Sequence, residues 1–184
     1  MPTIGVSISV PEPWGSHLQD FRVNNGDTQG VGIPTHITLV PPLELAPSGL
    51  PEVEAPLAAV AAATTPYWIH LRGSGTFRPV SPVVFLNLVE GISQTEQLAH
   101  ACRTGPLETE LGYPFHPHVT VAHLDDDDLL DRAFDGMSDF DCAFTAAEIH
   151  LYAHDPDLGW QPARDFVLAG TGGPGASDFS HGPR

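Results

Sequence analysis

A chain of 184 residues with 41% hydrophobic residues and a mean hydropathy of −0.04 can bury a sizeable core, as one domain or as two small lobes. Its formal net charge is −16 and its seven basic residues are all arginines, which excludes tight non-specific binding to long nucleic acid and leaves a small phosphorylated ligand or a short RNA end as partners. No run of about 18 apolar residues exists to span a membrane. The opening MPTIGVSISVPEPW lacks a basic stretch followed by a long apolar one, so it reads as a strand and a cytoplasmic protein is expected. Cys102 and Cys142 have no metal-binding spacing and are expected to be reduced thiols.

In chain order, the periodicity predicts a strand over Ile4–Val10, a helix over Trp14–Val23 and a strand over Thr35–Val40 that ends at Pro41-Pro42. A helix over Pro51–Ala63 and a strand over Tyr67–Arg72 follow, then a connecting loop from Gly73 to Pro82. The series resumes with a strand over Val83–Val89, a helix over Ser93–Arg103, a strand over His118–Leu124, a helix over Asp127–Met137 and short strands over Glu148–Tyr152 and Phe166–Leu168. The acidic run Asp125–Asp128 is placed to cap the last helix, a divalent-cation site being the alternative. The Gly/Pro/Ser-rich segment 170–184 is expected to be disordered.

This order repeats. Each half runs strand, helix, strand, helix, strand, and the spacings agree: Ile4 to His36 is 32 residues and Val83 to His118 is 35, while Trp68 and His150 each lie 32 residues beyond the histidine of their own half. One domain over residues 1–169 is expected, made of lobes at about 3–72 and 83–152 related by a pseudo-twofold axis, with 153–169 completing the sheet.

The equivalent strands carry His36-Ile37-Thr38 and His118-Val119-Thr120. Side chains two apart on a strand face the same way, so each strand shows an imidazole and a hydroxyl on one face and aliphatic residues on the other. Pro34 and Pro117 favour an extended approach to both motifs. Hydrolysing a phosphodiester requires a base to take a proton from water and an acid to protonate the departing alkoxide, and imidazoles with an ordinary pKa of about 6.5 serve both tasks near neutrality. The hydroxyls of Thr38 and Thr120 can donate to non-bridging phosphate oxygens, where charge grows in the transition state.

THITLVPPL and PHVTVAHL resemble the paired His-x-Thr signatures of the two-histidine (2H) phosphoesterase superfamily, in particular its 2'-5' RNA ligase-like members, over about residues 3–169. The resemblance implies a bilobal α+β fold in which two antiparallel-rich sheets line a central cleft with helices outside. It further implies metal-independent and cofactor-free opening of a 2',3'-cyclic phosphate or related cyclic phosphodiester to a 2'-phosphomonoester, with RNA-end ligation as a reverse activity in some relatives. His36 and His118 would be the acid/base pair and Thr38 and Thr120 the phosphate donors, with no indication of which histidine is which. Several relatives carry an arginine shortly after the second motif, where this chain has Ala122-His123-Leu124. Arg78 is the candidate substitute cation, with a solvated loop arginine as its alternative.

Phe77 and Tyr113, together with Phe115, could stack on a base at the cleft mouth, or belong to the core. His116 shares parity with His118 and is a candidate substrate contact, whereas His123 has the opposite parity and fits a supporting role equally well. His70, His100, His150 and His154 are read as structural or surface residues. Two other readings stay open: a zinc-dependent hydrolase using His116, His118 and His123 with one of the acidic residues, which leaves His36 and Thr38 without a role, and a non-catalytic nucleotide-binding or interaction domain on the same fold. No heptad or exposed apolar helix stripe is evident, and a monomer is expected.

Overall fold

The computed structural model describes residues 2–30, 32, 34–46 and 49–171. The disorder expected for 170–184 therefore falls, from residue 172 onward, outside the described residues. Eight strands and four α-helices alternate in an α+β arrangement: β1 (Thr3–Ser9), α1 (Trp14–Asn24), β2 (His36–Glu44), α2 (Gly49–Ala63), β3 (Tyr67–Thr76), β4 (Val83–Glu90), α3 (Ile92–Cys102), β5 (His118–His123), α4 (Asp127–Gly136), β6 (Asp141–Ala146), β7 (Glu148–Asp155) and β8 (Gly159–Val167).

The described strands form one antiparallel sheet in the order β6-β3-β4-β5-β2-β1-β7-β8, rather than the two sheets that the resemblance implies. The two motif strands lie side by side at its centre, with Ile37 opposite Val119. Outward from them the flanks match strand for strand, β1, β7 and β8 on one side and β4, β3 and β6 on the other. The halves of the sheet are thus not the halves of the chain. β3, which the repeat assigns to the first lobe, pairs with β4 and β6, and β7, assigned to the second, pairs with β1. Each crosses to the far flank.

Alternation explains the layering. Ile4, Val6 and Ile8 of β1, Ile37 and Leu39 of β2, Ile69 and Leu71 of β3, Leu86 of β4 and Val119 and Val121 of β5 are all at most 2% exposed. They form one core with Leu18 of α1, Val53 and Leu57 of α2, Leu98 and Ala99 of α3 and Leu130 and Ala133 of α4. The helices cover this face and leave the other open. As expected for the acidic run, the Asp126 carboxylate accepts the Leu129 N–H at 3.1 Å and caps α4. Cys102 and Cys142 are buried and unpaired.

Several elements differ from the sequence pattern: β3 runs on through Gly73–Thr76, where a loop was expected, and β7 continues to Asp155. β2 continues through Pro41-Pro42 to Glu44, because beyond Val40 it pairs only with β1, and an unpaired strand side tolerates a missing amide proton. β6 falls where no strand was expected. β8 begins seven residues early, as an outer strand whose pattern is mostly polar.

A buried ion pair fixes the end of α1. Arg22 donates to Asp27 Oδ2 through Nε at 3.0 Å and Nη2 at 2.6 Å; Asp27 is fully buried and Arg22 is 7% exposed. The same carboxylate accepts the N–H of Gly30 at 3.3 Å and of His123 at 3.0 Å, tying α1 to the end of β5. Asp27→Ala strands a buried guanidinium and two amides. It should lower unfolding free energy by about 3–5 kcal/mol, read as a lower denaturant midpoint, whereas a loss within 1 kcal/mol would show that the pair is dispensable.

Candidate active site on the open face

On the open face, the antiparallel register centred on Ile37 and Val119 sets Thr38 across from His118 and His36 across from Thr120. Directly opposed side chains on one sheet face have Cβ atoms about 4.5–5.5 Å apart, so the two imidazoles and two hydroxyls form one cluster. All four residues are half-buried. The motifs therefore meet as neighbours in a sheet, and not as facing walls of separate lobes.

Both rings are held in the same way. His36 Nδ1 lies 2.6 Å from the carbonyl oxygen of Pro34, and His118 Nδ1 lies 2.7 Å from that of His116. A carbonyl only accepts, so each Nδ1 carries the proton, and in the neutral ring Nε2 is the free lone pair. This fixes orientation and tautomer together. Burial pushes the pKa of His36 below the ordinary imidazole value; the bond to Pro34 opposes the shift, and the positive charge of Arg22 adds to it. Burial also lowers His118, against the bond to His116 and together with the charges of His116 and His36. A charge on His36 thus disfavours a second proton, on His118.

The cleft has two arms that share Thr38. On the His118 side it is lined by Phe77, Tyr113, His116, His118, Thr38 and Thr120. On the His36 side it is lined by Gly5, Ser7, His36, Thr38, Tyr152 and Trp160, among others. Phe77 stands edge-on to His118 with centroids 4.9 Å apart and packs on Phe85 at 4.3 Å. Phe85 also meets His118 and His116, at 5.3 and 5.4 Å. Gly75 makes room for that ring, since a Cβ there would lie 2.6 Å from a Phe85 carbon. The His116 ring is stacked with His118 at 6.2 Å, and Tyr113 is 71% exposed at the rim.

Arg78 lies elsewhere. Its guanidinium donates to Asp127 at 3.2 Å and to Asp131 at 2.6 Å, both in α4, and lines a separate depression with them. Neither arm of the cleft is lined by an arginine among the described residues. His123 is also apart, at the far end of β5 in a depression with Asp27 and Asp125. Among the described residues no three potential ligands converge as a metal centre. Three lining residues escaped the sequence pattern, Ser7, and Tyr152 and Trp160, whose strands border a hairpin with no motif; so did Phe85, which is buried against the His116 and His118 rings in a strand that is apolar on both faces.

The profile described as the 2'-5' RNA ligase superfamily matches residues 10–158. A Bacillus cytotoxicus protein named "Putative phosphoesterase" is 31% identical over 140 residues, covering 74% of this chain and 80% of its own length. An Oceanobacillus iheyensis protein of the same name is 32% identical over 140 residues, covering 74% and 81%. The fold is similar to Escherichia coli LigT crystallised with NADP+ (TM-score 0.64, 20% identity, 92% of this chain and 99% of that one) and to the TT0787 protein of Thermus thermophilus (TM-score 0.60, 21% identity, 91% and 98%). The chain belongs to the 2'-5' RNA ligase superfamily, among the two-histidine phosphoesterases.

The ring anchoring has a direct spectroscopic consequence. Above pH 7, nitrogen-15 shifts of His36 and His118 should show Nδ1 protonated and Nε2 bare, the less common tautomer of free imidazole. A protonated Nε2 on either ring would mean that the carbonyl bond does not form.

Proposed function

We propose that the chain is a metal-independent phosphodiesterase that opens a 2',3'-cyclic phosphate or a related cyclic phosphodiester of a nucleotide or short RNA end. The supporting observation is the pair of Nε2 atoms freed by carbonyl anchoring of Nδ1, on adjacent strands with a threonine across from each. One imidazole, neutral, takes a proton from water as its oxygen bonds to phosphorus. The other, protonated, gives its proton to the ribose oxygen as the P–O bond breaks, leaving a phosphomonoester and a free hydroxyl. Thr38 and Thr120 donate to the non-bridging oxygens. Phe77, Tyr113 and His116 border the nucleoside on the His118 side. Arg78, held by two carboxylates outside the cleft, has no part in this reading.

The comparisons support the ligand class. LigT has been crystallised with 3'-AMP, with ATP and with phosphate. The reading takes residues 1–169 as the working unit, a monomer in the cytoplasm without cofactor; no helix of the described residues is long and apolar enough to cross a membrane.

His36→Ala and His118→Ala should each reduce turnover of 2',3'-cyclic nucleotides by at least ~100-fold. Wild-type activity should persist in excess chelator, whereas abolition by chelator together with stoichiometric zinc would establish a metallohydrolase. Unchanged turnover in both variants would remove the mechanism and leave a binding domain.

The pair works with one proton, so kcat/KM should be bell-shaped in pH. Both imidazoles are lowered from their ordinary value. The acid is therefore lost as pH rises through a value below about 6.5, the base is lost as pH falls further, and the maximum lies on the acid side of 6.5. A maximum on the alkaline side, with chemistry rate-limiting, would contradict the burial and mutual repulsion of the two rings.

A further inference from the structure

Phe77 and Arg78 are consecutive residues that leave the turn between β3 and β4 on opposite sides. Phe77 faces the cleft, where its ring stands edge-on to His118 at 4.9 Å and to His116 at 5.7 Å and packs on Phe85 at 4.3 Å. Arg78 faces α4, outside the cleft, in the depression it shares with Asp127 and Asp131. One planar peptide joins the two, so a side chain fixed at 78 restricts where the ring at 77 can go.

The turn has little else to hold its leading end. Val80 at the tip is 66% exposed, and the N–H groups of Val80 and Ser81 donate back to the Phe77 carbonyl, within the turn. Its trailing end is tied to β5, where the Pro82 carbonyl accepts the Leu124 N–H at 3.3 Å. Arg78 ties the leading end. Its backbone N–H and Nε donate to the Thr76 hydroxyl at 3.2 and 3.4 Å, and that hydroxyl donates to the Val83 carbonyl at 2.9 Å, which gives the side chain a fixed base. From there Nη1 donates to Asp127 at 3.2 Å and Nη2 to Asp131 at 2.6 Å. Those carboxylates lie one helical turn apart on α4, a spacing that the planar fork of a guanidinium bridges. Both are exposed, and exposed ion pairs add little to stability, so the effect of this clamp falls on the position of the turn.

We propose that Arg78 is a positioning residue: forked across Asp127 and Asp131, it pins the turn to α4 and so holds the Phe77 ring against His118. The proposal rests on the two-histidine reading for its catalytic consequence. Burial is the foremost cause that lowers His118, and the charges that act on it are those of His116, from the segment before β5, and His36, from β2. With Phe77 loose, water reaches the imidazole and its pKa rises toward the ordinary value of about 6.5.

The test follows the proton-binding midpoints of His118 and His36 by NMR in the full chain, beside the pH profile of 2',3'-cyclic AMP turnover. Two variants open the clamp from opposite ends, Arg78→Met and the pair Asp127→Asn with Asp131→Asn. By charge alone they would act in opposite directions, since a lost cation raises an imidazole pKa and lost anions lower it. Acting through Phe77, both should raise the His118 midpoint toward about 6.5, leave His36 in place and carry the rate maximum the same way. Phe77→Leu should do likewise, and adding Arg78→Met to it should change nothing further. A His118 midpoint that stays put in both clamp variants, moves in opposite directions in the two, or moves equally with His36 would overturn the proposal. So would additive effects of Arg78→Met and Phe77→Leu. The midpoints are read without turnover: if they move as expected while His36→Ala and His118→Ala keep full activity, the two-histidine reading falls and the clamp on His118 stands.

Discussion

The antiparallel contact between β2 and β5, with Ile37 opposite Val119, is the constraint on which the rest of the molecule depends. Both residues are fully buried, so the pairing is held by the core and not by the open face. Strand side chains alternate with a period of two, and a slip of one residue in either strand would turn that strand's imidazole into the core and expose its aliphatic set. Hydrophobic burial thus sets the register, and register brings the chemistry together. The site needs no attractive force of its own to assemble.

What the site lacks is as consistent as what it holds. Arg22 is spent on Asp27, Arg78 on Asp127 and Asp131, and Arg164 on Glu54. Arg103 donates to the Leu39 carbonyl and lies over the Phe115 ring. These guanidiniums hold elements together in a strongly acidic chain, and the cleft is left to its imidazoles and hydroxyls. A half-buried imidazolium has little water to share its charge with, so one proton on the pair carries more weight there than an exposed arginine would. Burial and the neighbouring ring both resist a second proton. Because burial opposes the first proton too, a singly protonated pair is confined to the acid side of the ordinary imidazole value.

The aliphatic alternation, the two motifs and the acidic cap of α4 were legible because each is a local pattern with a local cause. Strand order was not. β3 and β7 cross to opposite flanks, and nothing in Tyr67–Arg72 or Glu148–Tyr152 marks which edge either will meet, because adjacency is decided by chain crossing and core shape. β6 and the first half of β8 escaped for a different reason. They are outer strands: β6 is short and its alternation is carried partly by small residues, and the first half of β8 buries neither face, so no apolar period marks it. Arg78 sits near the right strands in sequence, but its partners come from a helix 49 and 53 residues away. The carbonyls of Pro34 and His116 could not be read at all, since every residue has one and only geometry selects these two.

Matched flanks with unmatched side chains separate two functions that a simple repeat would combine. The chemistry is symmetric: each motif gives a histidine anchored through Nδ1 and a threonine across from its counterpart's imidazole. The surroundings are not, because Phe85 stands where the other flank has Ser7, and Phe77 where it has Tyr152. An aromatic pair packed on Gly75 fills the space beside His118 and pushes the open volume outward toward Tyr113, whereas a serine beside His36 leaves a hole over Gly5 that Trp160 bounds. The two equivalent histidines therefore see different neighbours. That difference in packing, with no change in either motif, makes the two ends of a pseudo-symmetric pair unlike one another.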